Sequence, residues 1–189
     1  MKPGNAGMKP IQIKEKITIA QNMYRTWCDA LGADSGISAQ VQELAAKVEA
    51  SADASIRSGV AQACRQCDRE EGGSCCGAGI EDRYTPELLV INLLLGVTLP
   101  ESRHSANSCH FLQERGCILP ARDILCVNYL CTRLQKTIPP EKLLQLQETN
   151  GSEMELLFRL HDRIRNFIRY KAHGTPQHSQ HREAHGRLL

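Results

Sequence analysis

Ile13, Ile17, Ala20, Tyr24, Trp27 and Leu31 recur at steps of four and three, the spacing of one face of an α-helix. Gly32 and the run Asp34-Ser35-Gly36 supply stop signals after it. A second helix is expected from a Ser38 cap, with Val41, Leu44, Ala45, Val48, Ala52, Ile56, Val60 and Ala63 as its apolar positions. The two segments read as an antiparallel hairpin over residues 11–63, with short side chains allowing close approach. Beyond it the pattern changes. The stretch from Cys64 to Gly79 is rich in Cys, Gly, Ser and charge, which reads as loop.

Thr85, Pro86 and Glu87 read as N-cap, N1 and N2 of a short helix that runs to Leu95 and closes at Gly96. Val97 to Ser108 is irregular. A helix is expected over 121–134, with Cys126 and Cys131 on nearly one side. Pro139-Pro140 opens a further helical region containing Leu143, Leu144 and Leu146, and Asn150-Gly151 reads as a break or kink in it. Leu157, Leu160, Ile164, Phe167 and Ile168 then form a stripe to about Tyr170. The organisation expected is a flexible tail over 1–10, the hairpin over 11–63, a cysteine-rich domain over 64–134, a helical region over 139–171 and a disordered His-rich tail over 172–189.

Composition sharpens this picture. Aromatic residues make up only 4% of the 189 residues, so the core must be built from Leu, Ile, Val and Ala. That supply favours helices over a β-sandwich. A formal net charge of +2 sets up no global field toward nucleic acid. The basic positions Arg159, Arg163, Arg165, Arg169 and Lys171 read as a solvated helix face, because stacking aromatics are scarce beside them.

The candidate chemistry lies in cysteine. Eight of the nine cysteines fall between Cys64 and Cys131, spaced Cys64-x2-Cys67-x7-Cys75-Cys76 and then Cys109-x7-Cys117-x8-Cys126-x4-Cys131. Met1 to Pro10 has no apolar core of the kind a signal peptide needs, and no run of apolar residues is long enough to span a membrane. A reducing cytoplasm is therefore expected, where clustered thiols hold metal more often than they pair. Cys64 and Cys67 have the spacing of a metal knuckle. Vicinal Cys75 and Cys76 face either two neighbouring sites or one ligand position and its support. Eight thiolates suffice for two four-sulfur centres, or for one centre with a surrounding set of thiols. Arg65, Arg83, Arg115, Arg122 and Arg133 are close enough in sequence to balance such charge. Cys28, beside Trp27, reads as a small buried side chain, and His104 and His110 as neighbours of the site rather than ligands. The tail residues His173, His178, His181 and His185 read as a solvated end.

Together, CRQCDREEGGSCC, YTPELLVINLLLG and CHFLQERGCILPARDILCVNYLC resemble the YkgJ-like cysteine-cluster family of zinc- or iron-chelating domains. Cys64, Cys67, Cys75 and Cys76 match its first half. Cys109, Phe111, Leu112, Gly116, Cys117, Arg122, Cys126 and Cys131 match its second. Asp123 departs from the pattern, standing where the family usually has Pro. The resemblance covers about a third of the chain and implies a metal-binding domain without a settled activity.

The resulting expectation is a mainly α protein in which a helical hairpin and a C-terminal helix surround a loop-rich, cysteine-ligated metal core. Cys64, Cys67, Cys75, Cys76, Cys109, Cys117, Cys126 and Cys131 would be the ligands, with Arg122 beside the cofactor. An iron–sulfur cluster of the cubane type is favoured over Zn²⁺, because the thiols outnumber the needs of one zinc and sit in an irregular, Gly-rich stretch. Electron transfer, sensing or an accessory role would follow. The alternatives are a zinc-bound interaction module, whose helices bind a protein partner, and a redox or group-transfer enzyme. No hydrolase triad, phosphate loop or dinucleotide fingerprint occurs in the chain.

Overall fold

The apolar stripe that opens the chain folds as α1 (Ile13–Ala33), which buries Ile13, Ile17, Ala20 and Leu31. The computed structural model describes residues 11–71 and 75–173. The expected tails over 1–10 and beyond 173, and the Gly72-Gly73-Ser74 part of the glycine-rich stretch, lie outside the described residues. Asp34 separates α1 from α2 (Ser35–Ser58) and caps the second helix, where a Ser38 cap was expected. Its Oδ1 accepts the N–H groups of Gly36 at 3.0 Å and Ile37 at 2.9 Å. One carboxylate oxygen, two and three residues before those amides, satisfies donors that a Ser38 cap would leave unmatched. Arg163, from the far end of the chain, reaches the same oxygen at 3.2 Å.

The second helix does not run through to the cysteines. Gly59 takes a left-handed conformation, φ 89°, and ends α2, its N–H donating to the Ile56 carbonyl. Glycine reaches that region without the Cβ penalty of other residues, which makes it the common terminator of helices. A separate helix, α3 (Val60–Glu71), begins directly after it. Cys64 and Cys67 are therefore helical, where loop was expected.

The 3₁₀ turn Ile80–Arg83 leads into α4 (Pro86–Leu94), capped as expected by Thr85, whose Oγ1 accepts the Leu88 N–H. Thr85 Oγ1 also lies 2.8 Å from His161 Nε2, tying α4 to the last helix. Leu88, Leu89, Val90, Ile91 and Asn92 are all buried, so α4 is covered on every side, chiefly by α1. A small antiparallel hairpin of β1 (Leu112–Gln113) and β2 (Gly116–Cys117) follows, pairing Leu112 with Cys117.

The single helix expected over 121–134 is two short ones, α5 (Ile124–Asn128) and α6 (Thr132–Thr137). Asp123 Oδ1 caps α5 at Leu125 N–H, 3.0 Å away, and Cys131, in extended conformation, is the N-cap of α6. Cys126 and Cys131 consequently share no helix face. In the opposite sense, Asn150-Gly151 breaks nothing: α7 runs unbroken from Pro140 to His173. The cost of a mid-helix glycine is about 1 kcal/mol, and packing outweighs it here. α7 lies along α2, burying Leu156, Leu157, Leu160 and Ile164, and Asn150 Nδ2 donates to the Val127 carbonyl at 3.0 Å. The closest partner of α2 is thus α7 rather than α1, which packs mainly on α4. The protein is mainly helical, and among the described residues no helix is long and apolar enough to cross a membrane.

Candidate metal centre

Helix α3 carries Cys64 and Cys67 three residues apart, so they share a face, and Val60 and Ala63 continue that face toward the helix start. Val60 and Ala63 pack with Leu130 and Cys131 against Leu134, Ile138 and Leu143. This small apolar cluster brings the α5–α6 junction against α3. Cys64 is exposed, and Cys67 and Cys131 are half-buried.

The strand-like run after Cys75 and Cys76 pairs with the segment before the hairpin. The Cys109 N–H donates to the Cys76 carbonyl at 2.7 Å, Gly77 bridges Ser108, and the Ala78 N–H donates to the Asn107 carbonyl at 2.9 Å. Cys109 is buried beside Phe111, whose ring lies 5.0 Å from that of Tyr84. The Tyr84 hydroxyl stands 3.9 Å from Cys126 Sγ. Across the hairpin, the register places Cys117 opposite Leu112.

Burial and neighbouring groups act on Cys64, Cys109, Cys117 and Cys126. Burial first, and then the charges of Cys75, Cys76, Cys131 and Cys67, push the Cys64 thiol up to about 11. Burial pushes Cys109 up to about 12, with Glu81, Cys117 and Cys126 adding to it, while a hydrogen bond from the Phe111 backbone opposes. Burial also pushes Cys126 up to about 11, helped by Cys117, Asp123 and Cys76 and opposed by the Tyr84 hydroxyl. Cys117 is exposed as a residue, yet enough protein surrounds its thiol for desolvation to raise it. The Leu119 backbone amide and Arg122 pull it back down. The Tyr84 hydroxyl is itself raised, by burial and then by Cys117 and Cys126. The eight thiols thus form one electrostatically continuous neighbourhood.

Two of these thiols sit two residues before a backbone amide that favours the thiolate: Phe111 for Cys109 and Leu119 for Cys117. Amide donors of this kind suit anionic sulfur, whether it ligates zinc or iron. The nine cysteines all lie among the described residues, and no two of them are joined in a disulfide. Among the described residues, however, no three His, Cys, Asp or Glu side chains are grouped tightly enough to hold an ion as they stand. The donor set suits a thiophilic metal in its chemistry; the described residues do not gather three of these side chains into one site.

The frame around the thiols is polar and buried. Glu81 is fully buried. Burial alone would raise its carboxyl, but hydrogen bonds from its own backbone, from Arg103 and from Gly79 outweigh that and hold it below the usual range. Arg103 also donates to the Ser108 carbonyl at 2.6 Å, next to Cys109. Arg103 was not among the arginines singled out by sequence, since it lies in a stretch with no periodicity to place it. Of those that were, Arg83 binds Asp123 at 2.9 Å and Arg122 acts on Cys117, whereas Arg65 lines an open groove on α3 with Gln62, Gln66 and Arg69. His104 is exposed, and buried His110 places Nε2 3.0 Å from the Pro100 carbonyl. Cys28 is half-buried on α1, its sulfur 3.6 Å from Asp29 Oδ1.

Comparison with known proteins returns no match: no family model, no curated protein and no solved structure is significantly similar to this chain.

Proposed function

We propose that the chain is a metal-binding protein that holds an iron–sulfur cluster through its clustered cysteines and serves in electron transfer, in sensing or as an accessory to another protein. One observation carries the reading. Eight cysteines fall between Cys64 and Cys131, and the fold sets Cys76 against Cys109 and Cys131 against the helix that carries Cys64 and Cys67. The likeness to the YkgJ-like family points the same way and rests on the ordered cysteine motifs alone. Four thiolates complete either one Zn²⁺ site or one cubane cluster, and the preference for iron rests on the irregular, Gly-rich sequence from Gly72 to Gly79.

When bound, the cluster would supply one-electron chemistry. The chain's own part is to ligate through sulfur and to set the charge around it. The Phe111 and Leu119 amides and Arg122 favour thiolate, and the apolar packing of Phe111 and Tyr84 limits water. The enzyme reading has less to stand on. Two open grooves, one at Glu43, Lys47 and Ser152 and one at Gln62, Arg65 and Arg69, are lined by no cysteine.

The test is anaerobic purification followed by a visible spectrum and assays of iron, acid-labile sulfide and zinc per chain. Brown protein containing iron and sulfide supports the proposal. Colourless protein with stoichiometric zinc replaces it with the zinc-bound interaction module, and protein that takes up neither metal removes both.

A further inference from the structure

We infer that the eight cysteines form two separate four-thiol centres, Cys64, Cys67, Cys75 and Cys131 in one and Cys76, Cys109, Cys117 and Cys126 in the other. The inference rests on the metal-binding reading and assigns its ligands.

The first set is gathered by α3. Val60, Ala63, Cys64 and Cys67 follow the spacing i, i+3, i+4, i+7 along one helix face. The apolar half of that face and Cys131 pack into the same small cluster with Leu134 and Ile138. The break between α5 and α6 makes this possible, because a continuous helix would hold Cys131 within a turn and a half of Cys126. The second set is gathered by backbone pairing. Cys76 is tied to Cys109 by the 2.7 Å hydrogen bond, and Leu112 N–H donates to the Cys109 carbonyl at 3.1 Å. The hairpin then brings Cys117 opposite Leu112. Cys109 and Cys126 belong to the main apolar core, not to the small cluster that holds Cys131.

The vicinal pair is the seam. Two thiols on adjacent residues do not readily converge on one ion, so Cys75 and Cys76 are divided between the two sets. The backbone tie of Cys76 to Cys109 assigns Cys76 to the second set and leaves Cys75 to the first. Each set then has its own apolar floor and four sulfurs, the complement of one tetrathiolate ion or one cubane cluster.

Reduced, metal-free, full-length protein titrated anaerobically with Co²⁺ alone tests the partition through thiolate-to-cobalt charge-transfer absorption. The expected endpoint is about two equivalents per chain. Cys131→Ser and Cys126→Ser should each abolish tetrathiolate absorption at one centre and leave the other, so about half of the intensity remains; the double variant should lose all of it. Far-UV circular dichroism identifies variants that keep the native helix content, and Cys67→Ser and Cys109→Ser stand in for any that do not. A wild-type endpoint of one equivalent overturns the partition while leaving metal binding intact. So does a helical single variant that loses the whole signal. A wild-type protein with no charge-transfer absorption sinks the metal-binding reading itself.

Discussion

Asn92 holds Ala121 by both ends of its side-chain amide: Nδ2 donates to the Ala121 carbonyl at 2.8 Å, and Oδ1 accepts the Ala121 N–H at 3.1 Å. A third bond, from Nδ2 to the Leu88 carbonyl at 2.9 Å, anchors the amide to its own helix. A polar residue in the most apolar helix of the chain thereby fixes the loop between Cys117 and Cys126. Asn92→Ala leaves the Ala121 amide and carbonyl buried without partners, at about 1–3 kcal/mol for each such group. Urea unfolding should show a loss of about 2–4 kcal/mol in total. A loss below about 0.5 kcal/mol, as at an ordinary surface position, would mean that the clamp is dispensable.

Raised thiols make the metal-free protein sensitive to alkali. Cys64 and Cys126 lie at about 11 and Cys109 at about 12, against an ordinary value of 9.0. The folded state holds these protons more tightly than the unfolded chain. Their contribution is therefore fully present below pH 9 and is lost as pH rises through 11 to 12. Reduced, metal-free protein should need less urea to unfold at pH 10.5 than at pH 8. Ser at Cys109 and Cys126 together should flatten that decline; an unchanged slope would contradict the shifts.

Glu81 works in the opposite direction. Its carboxyl is held below the ordinary 4.5, so the stability it provides is present above pH 4.5 and is lost as pH falls through the lower folded value. Glu81→Gln should weaken the Arg103 contact and reduce the steepness of acid unfolding between about pH 5 and 3. Monitoring by circular dichroism decides it: parallel acid limbs in the two proteins would rule out Glu81 as the source.

Glu153 is fully buried on α7, and neither carboxylate oxygen makes a well-formed hydrogen bond among the described residues. Burial raises its carboxyl, with Ser51 and Arg122 opposing. A raised carboxyl contributes its stability below pH 4.5 and loses it as pH rises through the folded value. Near neutral pH, Glu153→Gln should therefore stabilise the protein, by about 1–2 kcal/mol. Thermal melts at pH 7.5 are the check, and a lower midpoint for the variant would show that the ionised carboxylate is needed.

Much of the helical architecture is legible along the chain. The spacing from Ile13 to Leu31 and the Thr85-Pro86-Glu87 cap are local signals, read by the same residues that form the helices. The errors share one cause. Gly59 and Asn150-Gly151 are both helix-breaking by propensity, yet only Gly59, at φ 89°, ends a helix, whereas Gly151 stays helical within α7, which packs along α2. Asp123 starts α5 with its own side chain and binds Arg83, two roles that no local spacing announces.

The cysteines divide the same way. Their number, their spacing and the chemistry of sulfur are properties of the chain, and they suffice to name eight candidate ligands. Which thiols become neighbours is set by contacts between residues far apart: Cys76 against Cys109 through a backbone bond, and Cys131 against α3 through Leu134 and Ile138. Sequence spacing reports distance only within a turn or a strand, where the backbone repeat is known. Across 33 residues from Cys76 to Cys109 it reports nothing, and there the burial of apolar surface and the pairing of buried amides choose the partners.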